Sequence, residues 1–184
     1  RARYGTDQTK NACHGSDSPE NAQIESDFFF GPNAHFEVTA AFSDCSLCIV
    51  KPHALYMGHA GDIIQRLLDE GFLISALQMF HLDKANATEF LEVYKGVMIE
   101  YNSIAEELSS GALLAMEVRK SQDCVESLRA LCGPHDPELA KLVRPNSLRA
   151  LFGENKIYNG VHCTDLDEDG VLEVEYFFNV LQDQ

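Results

Sequence analysis

The spacing of apolar residues predicts alternating strands and helices from residue 44 onward. A short buried strand at Leu47–Val50 ends at Pro52, because proline cannot donate to a strand ladder. The further predicted elements are, in order, a helix over 58–71, a strand over 72–82, two helical stretches within 86–109, a strand over 112–118, helices over 123–131, 137–143 and 147–152, a strand over 159–162 and a helix from about 167 to 181. This order predicts an α+β sandwich with a split βαβ pattern at its centre.

The same pattern of apolar residues indicates candidates for the hydrophobic core. Four apolar residues share one face of the helix over 58–71, and Gly71 fits its C-cap. The candidates are Ile63, Ile64, Leu67 and Leu68 there, and Phe90, Leu91, Tyr94, Ile104 and Leu108 within 86–109. Residues 31–43 have little periodicity, so they are predicted to be a linker.

A thirty-residue segment occurs twice in the chain. Residues 1–30 align with 149–178 without a gap, and ten of the thirty positions are identical, against about two expected by chance. The identical pairs are Arg1/Arg149, Ala2/Ala150, Gly5/Gly153, Asn11/Asn159, His14/His162, Asp17/Asp165, Glu20/Glu168, Glu25/Glu173, Phe29/Phe177 and Phe30/Phe178. We therefore expect residues 1–30 to be the C-terminal tail of a preceding domain, 31–43 to be a linker, and 44–184 to be a complete second copy.

Composition and charge narrow the class of protein. Hydrophobic residues make up 45% and charged residues 23%, which is typical of a globular chain. The formal net charge is −15, from 14 Lys and Arg against 29 Asp and Glu, so a nucleic-acid backbone would be repelled and no nucleic-acid partner is predicted. No apolar run has the length of a membrane span, so no membrane association is predicted.

Two motifs that suggest metal binding have simpler interpretations. Cys45 and Cys48 form a C-x-x-C inside a predicted strand, where residues three apart point to opposite faces. Reduced, partly buried thiols in a cytoplasmic compartment are the better interpretation of the six cysteines. The stretch 165–170 resembles the start of a calcium loop, but Tyr176 stands where the bidentate glutamate belongs. Its carboxylates are instead expected to cap the last helix.

The histidine retained in both copies is the leading candidate for chemistry. A single histidine is more often a satisfied polar residue than a reactive one. Here His162 keeps Asn159 and Glu173 beside it in both copies, while much of the surrounding sequence differs. Glu173 is placed to accept a ring N–H, which would fix the tautomer and leave the other nitrogen as a nucleophile.

A cationic pocket is the second candidate feature. Arg129, Arg144 and Arg149 stand out in so acidic a chain, although any one of them is more often solvated or paired with a carboxylate. Together with Lys51 at a strand end they would hold a polyphosphate by charge and bidentate hydrogen bonds. There is no Walker motif, so a P-loop enzyme is excluded.

These residues resemble the active-site signature of the nucleoside diphosphate kinases. The pattern N-x-x-H-[G/C]-[S/T]-D occurs as NACHGSD at 11–17 and as NGVHCTD at 159–165, each with a glutamate eleven residues after the histidine, and I-V-K-P stands at 49–52. The resemblance implies a ferredoxin-like antiparallel four-stranded sheet covered by helices. The tandem arrangement, with KPHA at 51–54, is most similar to the two-domain members of the family, which are associated with centrosomes and ciliary axonemes.

The resemblance also implies a reaction and a role for each residue. A histidine takes the γ-phosphoryl group of ATP or GTP as a phosphohistidine and passes it to a nucleoside diphosphate. Mg²⁺ would arrive with the nucleotide, without protein ligands. The implied catalytic residues are His162 and Glu173, with His14 and Glu25 in the partial first copy, and the implied nucleotide-binding residues are Lys51, Tyr94, Tyr101, Arg129, His135, Arg149 and Asn159.

Some positions depart from the family pattern and keep an alternative open. His53 replaces an acidic residue, His135 replaces a phosphate-binding threonine, Cys163 replaces a glycine, and residues 95–100 lack an expected arginine. Loss of a cationic clamp costs on the order of 10³-fold in rate. The alternative is therefore a structural component of the ciliary axoneme and centrosome, with tubulin or other cytoskeletal proteins as partners and a cytoplasmic, cytoskeletal location.

Overall fold

The protein forms two compact units, Arg1–Glu37 and Val38–Gln184. The structure is a computed structural model that describes residues 1–32, 34 and 37–183. In the smaller unit, helix α1 (Pro19–Phe30) begins after Ser18, whose hydroxyl accepts a hydrogen bond from the Asn21 amide. None of the residues of α1 is buried, and its three phenylalanines at 28–30 are exposed.

The larger unit is built on a four-stranded antiparallel sheet, as predicted. Its strands are β1 (Cys45–Val50), β2 (Leu73–His81), β3 (Ala112–Arg119) and β4 (Val161–Cys163), in the spatial order β2-β3-β1-β4. Strand β1 pairs with both β3 and β4, so the strand that carries His162 lies directly beside the strand that ends at Lys51.

Helices cover the sheet and connect its strands. They are α2 (Pro52–Tyr56), α3 (Ala60–Asp69), α4 (Lys84–Phe90), α5 (Tyr101–Leu108), α6 (Cys124–Cys132), α7 (Pro137–Val143), α8 (Leu148–Phe152) and α9 (Gly170–Phe178), with 3₁₀ turns at Glu92–Tyr94, Asp167–Asp169 and Val180–Asp183. Within the described part of the chain, no helix has both the length and the apolar character needed to cross a membrane.

The two faces of the sheet have separate cores, which follow the alternation along β1. Cys45, Leu47 and Ile49 pack on one face with residues of α4, α5 and α9. Cys48 and Val50 pack on the other face with residues of α3, α6 and α8. The prediction that Cys45 and Cys48 point to opposite faces is confirmed, and all six cysteines are free thiols.

Several predicted boundaries are corrected by local packing. Pro52 ends β1 as predicted, but it also begins the unpredicted helix α2, because a proline at the first helical position loses no hydrogen bond. The last helix begins at Gly170, where a Cβ atom would lie 2.5 Å from the Cys45 carbonyl oxygen. No side chain caps this helix at Asp169, so the capping interpretation of the carboxylates there is wrong.

Part of the predicted linker is attached to the sheet by a buried carboxylate. Glu117 of β3 is fully buried, and its two oxygens accept hydrogen bonds from the backbone amides of Ala41 and Phe42 at 2.7 and 2.8 Å. The Ser75 hydroxyl of β2 donates to the same carboxylate. The Phe42 side chain packs on the core face formed with α4, α5 and α9. Residues 39–42 are therefore held as a strap, a feature that linker composition does not reveal.

The Glu117→Ala variant should release this strap and destabilise the protein. Removing the carboxylate leaves two amides without their acceptors, so we expect the free energy of unfolding to fall by about 1–3 kcal/mol. The amides of Ala41 and Phe42 should lose protection in hydrogen-exchange measurements, while β1 stays protected. Glu106→Ala removes an exposed carboxylate paired with Lys84 at 3.1 Å and serves as the control, with a change below about 0.5 kcal/mol. Equal effects of the two variants would contradict the anchoring role.

Candidate active site

Strand β4 places His162 in a fixed orientation. Its Nε2–H donates to Glu173 Oε2 at 3.0 Å, and the Thr164 hydroxyl donates to the same oxygen at 3.0 Å. The side chains of His162 and Glu173 are only 9% and 15% exposed, and the Phe90 ring lies edge-on, 5.0 Å from the imidazole. With Nε2 carrying the proton, Nδ1 keeps its lone pair and has no hydrogen-bond partner among the described residues.

The smaller unit reproduces this pair at an exposed position. His14 Nε2 donates to Glu25 Oε2 at 2.9 Å, and the Ser16 hydroxyl donates to the same oxygen. The hydrogen bond from Ser16, with a further contribution from His14, lowers the pKa of Glu25. The His14 side chain is 75% exposed, so it keeps the local geometry but lacks the burial of its counterpart.

A buried arginine supports the strand that bears His162. Arg149 Nε donates to the Val161 carbonyl at 3.2 Å and Nη1 donates to the Gly133 carbonyl at 2.8 Å. Its Nη2 lies 3.7 Å from Cys163 Sγ. In the first copy, Arg1 Nε donates to the Cys13 carbonyl at 2.9 Å. The donor and acceptor are twelve residues apart, as are Arg149 and Val161. The sequence repeat is therefore also a repeat of hydrogen bonds.

A cleft of about 290 Å³ opens beside His162 and collects most of the predicted site. Its lining includes Lys51, Tyr94, His135, Arg149, Asn159 and His162. Lys51 is 3% exposed, and its Nζ donates to the Ile157 carbonyl at 3.3 Å. The pKa of Lys51 is lowered to about 8, mainly because the amine is buried; Glu107 opposes this shift and Arg149 adds to it. Backbone carbonyls thus position both cations without neutralising them.

His135 and Asn159 present two unpaired polar atoms at this cleft. Asn159 Nδ2 donates to His135 Nδ1 at 3.1 Å and to the His135 carbonyl at 3.2 Å, so the ring proton of the neutral His135 is on Nε2. Burial, with the charges of Arg149 and Lys51, lowers the pKa of His135 to about 4. His135 Nε2 and Asn159 Oδ1 are buried without a described partner, so they offer one donor and one acceptor to a ligand.

The structure separates the remaining predicted residues. The Tyr94 hydroxyl donates to Asp165 Oδ2 at 2.6 Å, and burial together with this bond raises the pKa of Tyr94. Arg129 lies in an adjoining groove, half exposed, with Nε 3.7 Å from Asp165 Oδ1. Tyr101 is not part of the cleft, because at the start of α5 its hydroxyl is turned to the Thr88 carbonyl at 3.0 Å. The contact between Tyr101 and a nucleotide stays a prediction.

Sequence reasoning also missed residues that complete the site. Thr164 and Asp165 occupy the positions of Ser16 and Asp17 in the repeat, so the alignment contained the signal that would have found them. No pattern in the sequence indicated that His53 pairs with Glu107. His53 Nδ1 donates to Glu107 Oε1 at 2.7 Å, while His53 Nε2 accepts from the Gly160 amide at 3.1 Å. This pair ties α2 and α5 to the turn before β4.

Comparison with known proteins identifies the family to which the chain belongs. The sequence profile of the family "Nucleoside diphosphate kinase" matches residues 1–35 and 44–182. The nucleoside diphosphate kinase of Aquifex aeolicus is 37% identical over 137 residues, which are 74% of this chain and 95% of that protein. The chain belongs to the nucleoside diphosphate kinase family. A crystal structure of the Aquifex aeolicus kinase superposes with a TM-score of 0.70 over 75% of this chain and 96% of that one, at 36% identity. The ferredoxin-like α+β fold expected for the family is thereby confirmed.

A second relative is more similar in sequence but much longer. Nucleoside diphosphate kinase homolog 7 of Rattus norvegicus is 50% identical over 187 residues, which are 98% of this chain and 46% of the rat protein. The mouse protein of the same name is 49% identical over the same share of each chain. This member of the nucleoside diphosphate kinase family therefore spans less than half the length of these two relatives.

The depressed pKa of Lys51 predicts that nucleotide affinity depends on pH. Phosphate favours the charged amine, so Lys51 binds without proton uptake below pH 8 and only with proton uptake above it. We expect the dissociation constant for a nucleoside diphosphate, measured calorimetrically, to be flat below pH 8 and to rise roughly tenfold per pH unit above it.

The Lys51→Arg variant is the matched control for this dependence. A guanidinium stays charged throughout the range, so binding by this variant should lose the rise above pH 8. An affinity of the unmodified chain that is equal at pH 7 and pH 9.5 would contradict the assignment of Lys51 as a phosphate contact.

Proposed function

We propose that the larger unit is a nucleoside diphosphate kinase that transfers a phosphoryl group through His162. The observation that carries the proposal is the ring of His162: its Nε2 proton is held by Glu173, and its Nδ1 is left with a lone pair. That ring lines a cleft shared with the buried cations Lys51 and Arg149. The substrates would be ATP or GTP and a second nucleoside diphosphate.

In the first half of the reaction, His162 Nδ1 attacks the γ-phosphorus of the triphosphate. A P–N bond forms while the bond to the β,γ-bridging oxygen breaks, and a nucleoside diphosphate leaves with that electron pair. The imidazole becomes positively charged as it is phosphorylated. Glu173 stabilises this charge through the existing hydrogen bond, and Thr164 keeps the carboxylate in place.

In the second half, a terminal oxygen of another nucleoside diphosphate attacks the phosphohistidine. The P–N bond breaks and its electrons return to Nδ1, which restores the free enzyme. The substrate is the magnesium complex of the nucleotide, in which phosphate oxygens and water hold the ion. Across the described ranges, no three His, Cys, Asp or Glu side chains are placed to share a metal ion. The part proposed for the protein is to position the phosphates and to stabilise charge.

The unpaired atoms of the cleft suit this substrate. His135 Nε2–H supplies a neutral donor where the family pattern has a threonine hydroxyl, and Lys51 and Arg149 supply charge. The orphaned Asn159 Oδ1 is an acceptor for a ribose hydroxyl. Buried polar groups without partners cost free energy, and a bound nucleotide would satisfy them.

A second candidate function is favoured by the weak cationic side of the cleft. Residues 95–100 contain no arginine, and the charge of Arg129 is partly compensated by Asp165. A domain of this kind would bind a protein partner and would not transfer phosphate. In that role it would serve as a structural component of the ciliary axoneme or centrosome, with tubulin or another cytoskeletal protein as its partner.

Incubation of the full chain with magnesium and ATP should place phosphate on His162. Mass spectrometry at neutral or alkaline pH should find a label that is lost in acid, as expected of a P–N bond. His162→Gln should abolish the label. His14→Gln is the matched control, because His14 has the same hydrogen-bonded glutamate but is 75% exposed, and this variant should label normally. Labelling that survives in His162→Gln would refute the assignment.

The Glu173→Gln variant should separate positioning from binding. Glutamine keeps an acceptor for the ring but removes the negative charge that stabilises the phosphorylated imidazole. We expect the transfer rate to fall about 10- to 100-fold with little change in nucleotide affinity. An equal loss in both quantities would show that Glu173 acts on the fold of the cleft and not on the reacting ring.

A nucleotide titration distinguishes the two candidate functions. We expect saturable binding of ADP to the full chain, weakened at least about tenfold by Lys51→Met. Lys141→Met, which removes an exposed lysine paired with Glu138, should bind as the unmodified chain does. Complete absence of binding by nucleoside di- and triphosphates would leave only the structural role.

A further inference from the structure

A second cationic cleft lies in the larger unit, apart from the His162 site. It has a volume of about 420 Å³, and its lining includes Arg66, Lys120 and Arg144 together with Glu70, Phe72 and Ser147. None of Lys51, Arg149, Asn159 or His162 lines it. Its three cations stand together in a chain whose carboxylates outnumber its cations by 29 to 14, so local clustering of positive charge here is unexpected.

Each of these cations is held by a backbone carbonyl. Arg66 Nη2 donates to Asn146, Lys120 Nζ to Glu70 and Arg144 Nη1 to Ala130, each at 3.0 Å. A carbonyl fixes the position of a cation without neutralising it, and Lys51 and Arg149 are held in the same way in the candidate active site. Because cations held by backbone carbonyls occur in this cleft as well, we interpret it as a second anion site.

The cleft also contains polar groups that the protein leaves unpaired. Arg66 Nε is shielded from solvent and has no hydrogen-bond partner in the described part of the chain, and the same holds for the Ser147 hydroxyl. The lining contains one carboxylate, that of Glu70, which is half exposed. Its Oε1 forms an ion pair with Arg66 Nη2 at 3.9 Å and leaves Arg66 Nε without a partner. Unpaired donors beside cations raise the free energy of the empty cleft, and an anion would relieve it.

The arrangement favours phosphate over carboxylate. The three cations come from α3, from the end of β3 and from the segment after α7, so they approach from different elements. A carboxylate is planar and has two oxygens, whereas a terminal phosphate presents three, which suit donors that converge from several directions. The buried Phe72 ring lies 4.8 Å from Lys120 Nζ and helps to hold that cation in place.

We propose that this cleft binds a small phosphate-bearing anion at a site separate from the one that holds the transferred phosphoryl group. The turn Arg144–Ser147 lines the cleft and leads directly into α8, which carries Arg149. The proposal does not require that His162 be phosphorylated or that the His162 cleft bind a nucleotide.

Residue-resolved amine labelling of the full chain tests the proposal, with inorganic pyrophosphate as the probe. Pyrophosphate should protect Lys120 from an acylating reagent in a saturable manner, while the exposed Lys141 should react unchanged. Sodium chloride at the same ionic strength should give no protection. Lys51, followed in the same digest during an ADP titration, reports the His162 cleft independently, so failure of the nucleotide site would not be mistaken for failure of this one.

Variants of Arg66 decide whether the cleft is responsible. Arg66→Gln should shift the pyrophosphate concentration for half-protection of Lys120 upward about tenfold. Arg66→Lys keeps the charge, removes the unpaired Nε donor, and should give a smaller shift. Thermal unfolding checks that both variants fold. If Arg66→Gln does not fold, the shift in half-protection of Lys120 measured for Arg66→Lys decides whether the proposal holds. Absence of saturation below about 10 mM, or identical protection in the folded variants, would overturn the proposal.

Discussion

The candidate active site depends on one buried guanidinium. Arg149 is fixed by two carbonyls, one at Gly133 after α6 and the other at Val161 in β4. These bonds join the loop region that carries His135 to the strand that carries His162. A guanidinium is suited to this task because it holds several acceptors in fixed directions and stays charged when buried. Any change that moves Gly133 or Val161 therefore also moves the phosphate-binding side of the cleft.

A very acidic chain has to assemble an anion site from few positive charges. The structure does so by burying Lys51 and Arg149, where low dielectric strengthens their attraction for phosphate. In the free protein, burial instead disfavours positive charge. It lowers the pKa of Lys51 and keeps His135 neutral. The cleft therefore combines two cations with one neutral N–H donor, an arrangement that limits the repulsion between its own groups when it is empty.

Sequence reasoning succeeded where a feature is local and failed where it depends on distant partners. The order of strands and helices along the chain followed from hydrophobic periodicity, and the pairing of His162 with Glu173 followed from an eleven-residue spacing that the chain shows twice. The Glu117 strap joins residues 75 positions apart, and nothing in the composition of residues 39–42 announces it. Tyr101 was assigned to the nucleotide through the family pattern alone. In the structure its hydroxyl donates to the Thr88 carbonyl at the start of α5, so its contact with a nucleotide stays a prediction.

The exposed His14–Glu25 pair has a consequence for how such a domain changes during evolution. The pair has the same hydrogen-bonded geometry as His162 and Glu173, and its members lie eleven residues apart, as His162 and Glu173 do. The surrounding cations are supplied by other parts of the fold and are free to diverge separately. A domain of this kind can therefore keep the histidine signature and lack the cations on which phosphoryl transfer depends. Inheritance of activity is therefore better judged from the residues that surround the histidine than from the histidine itself.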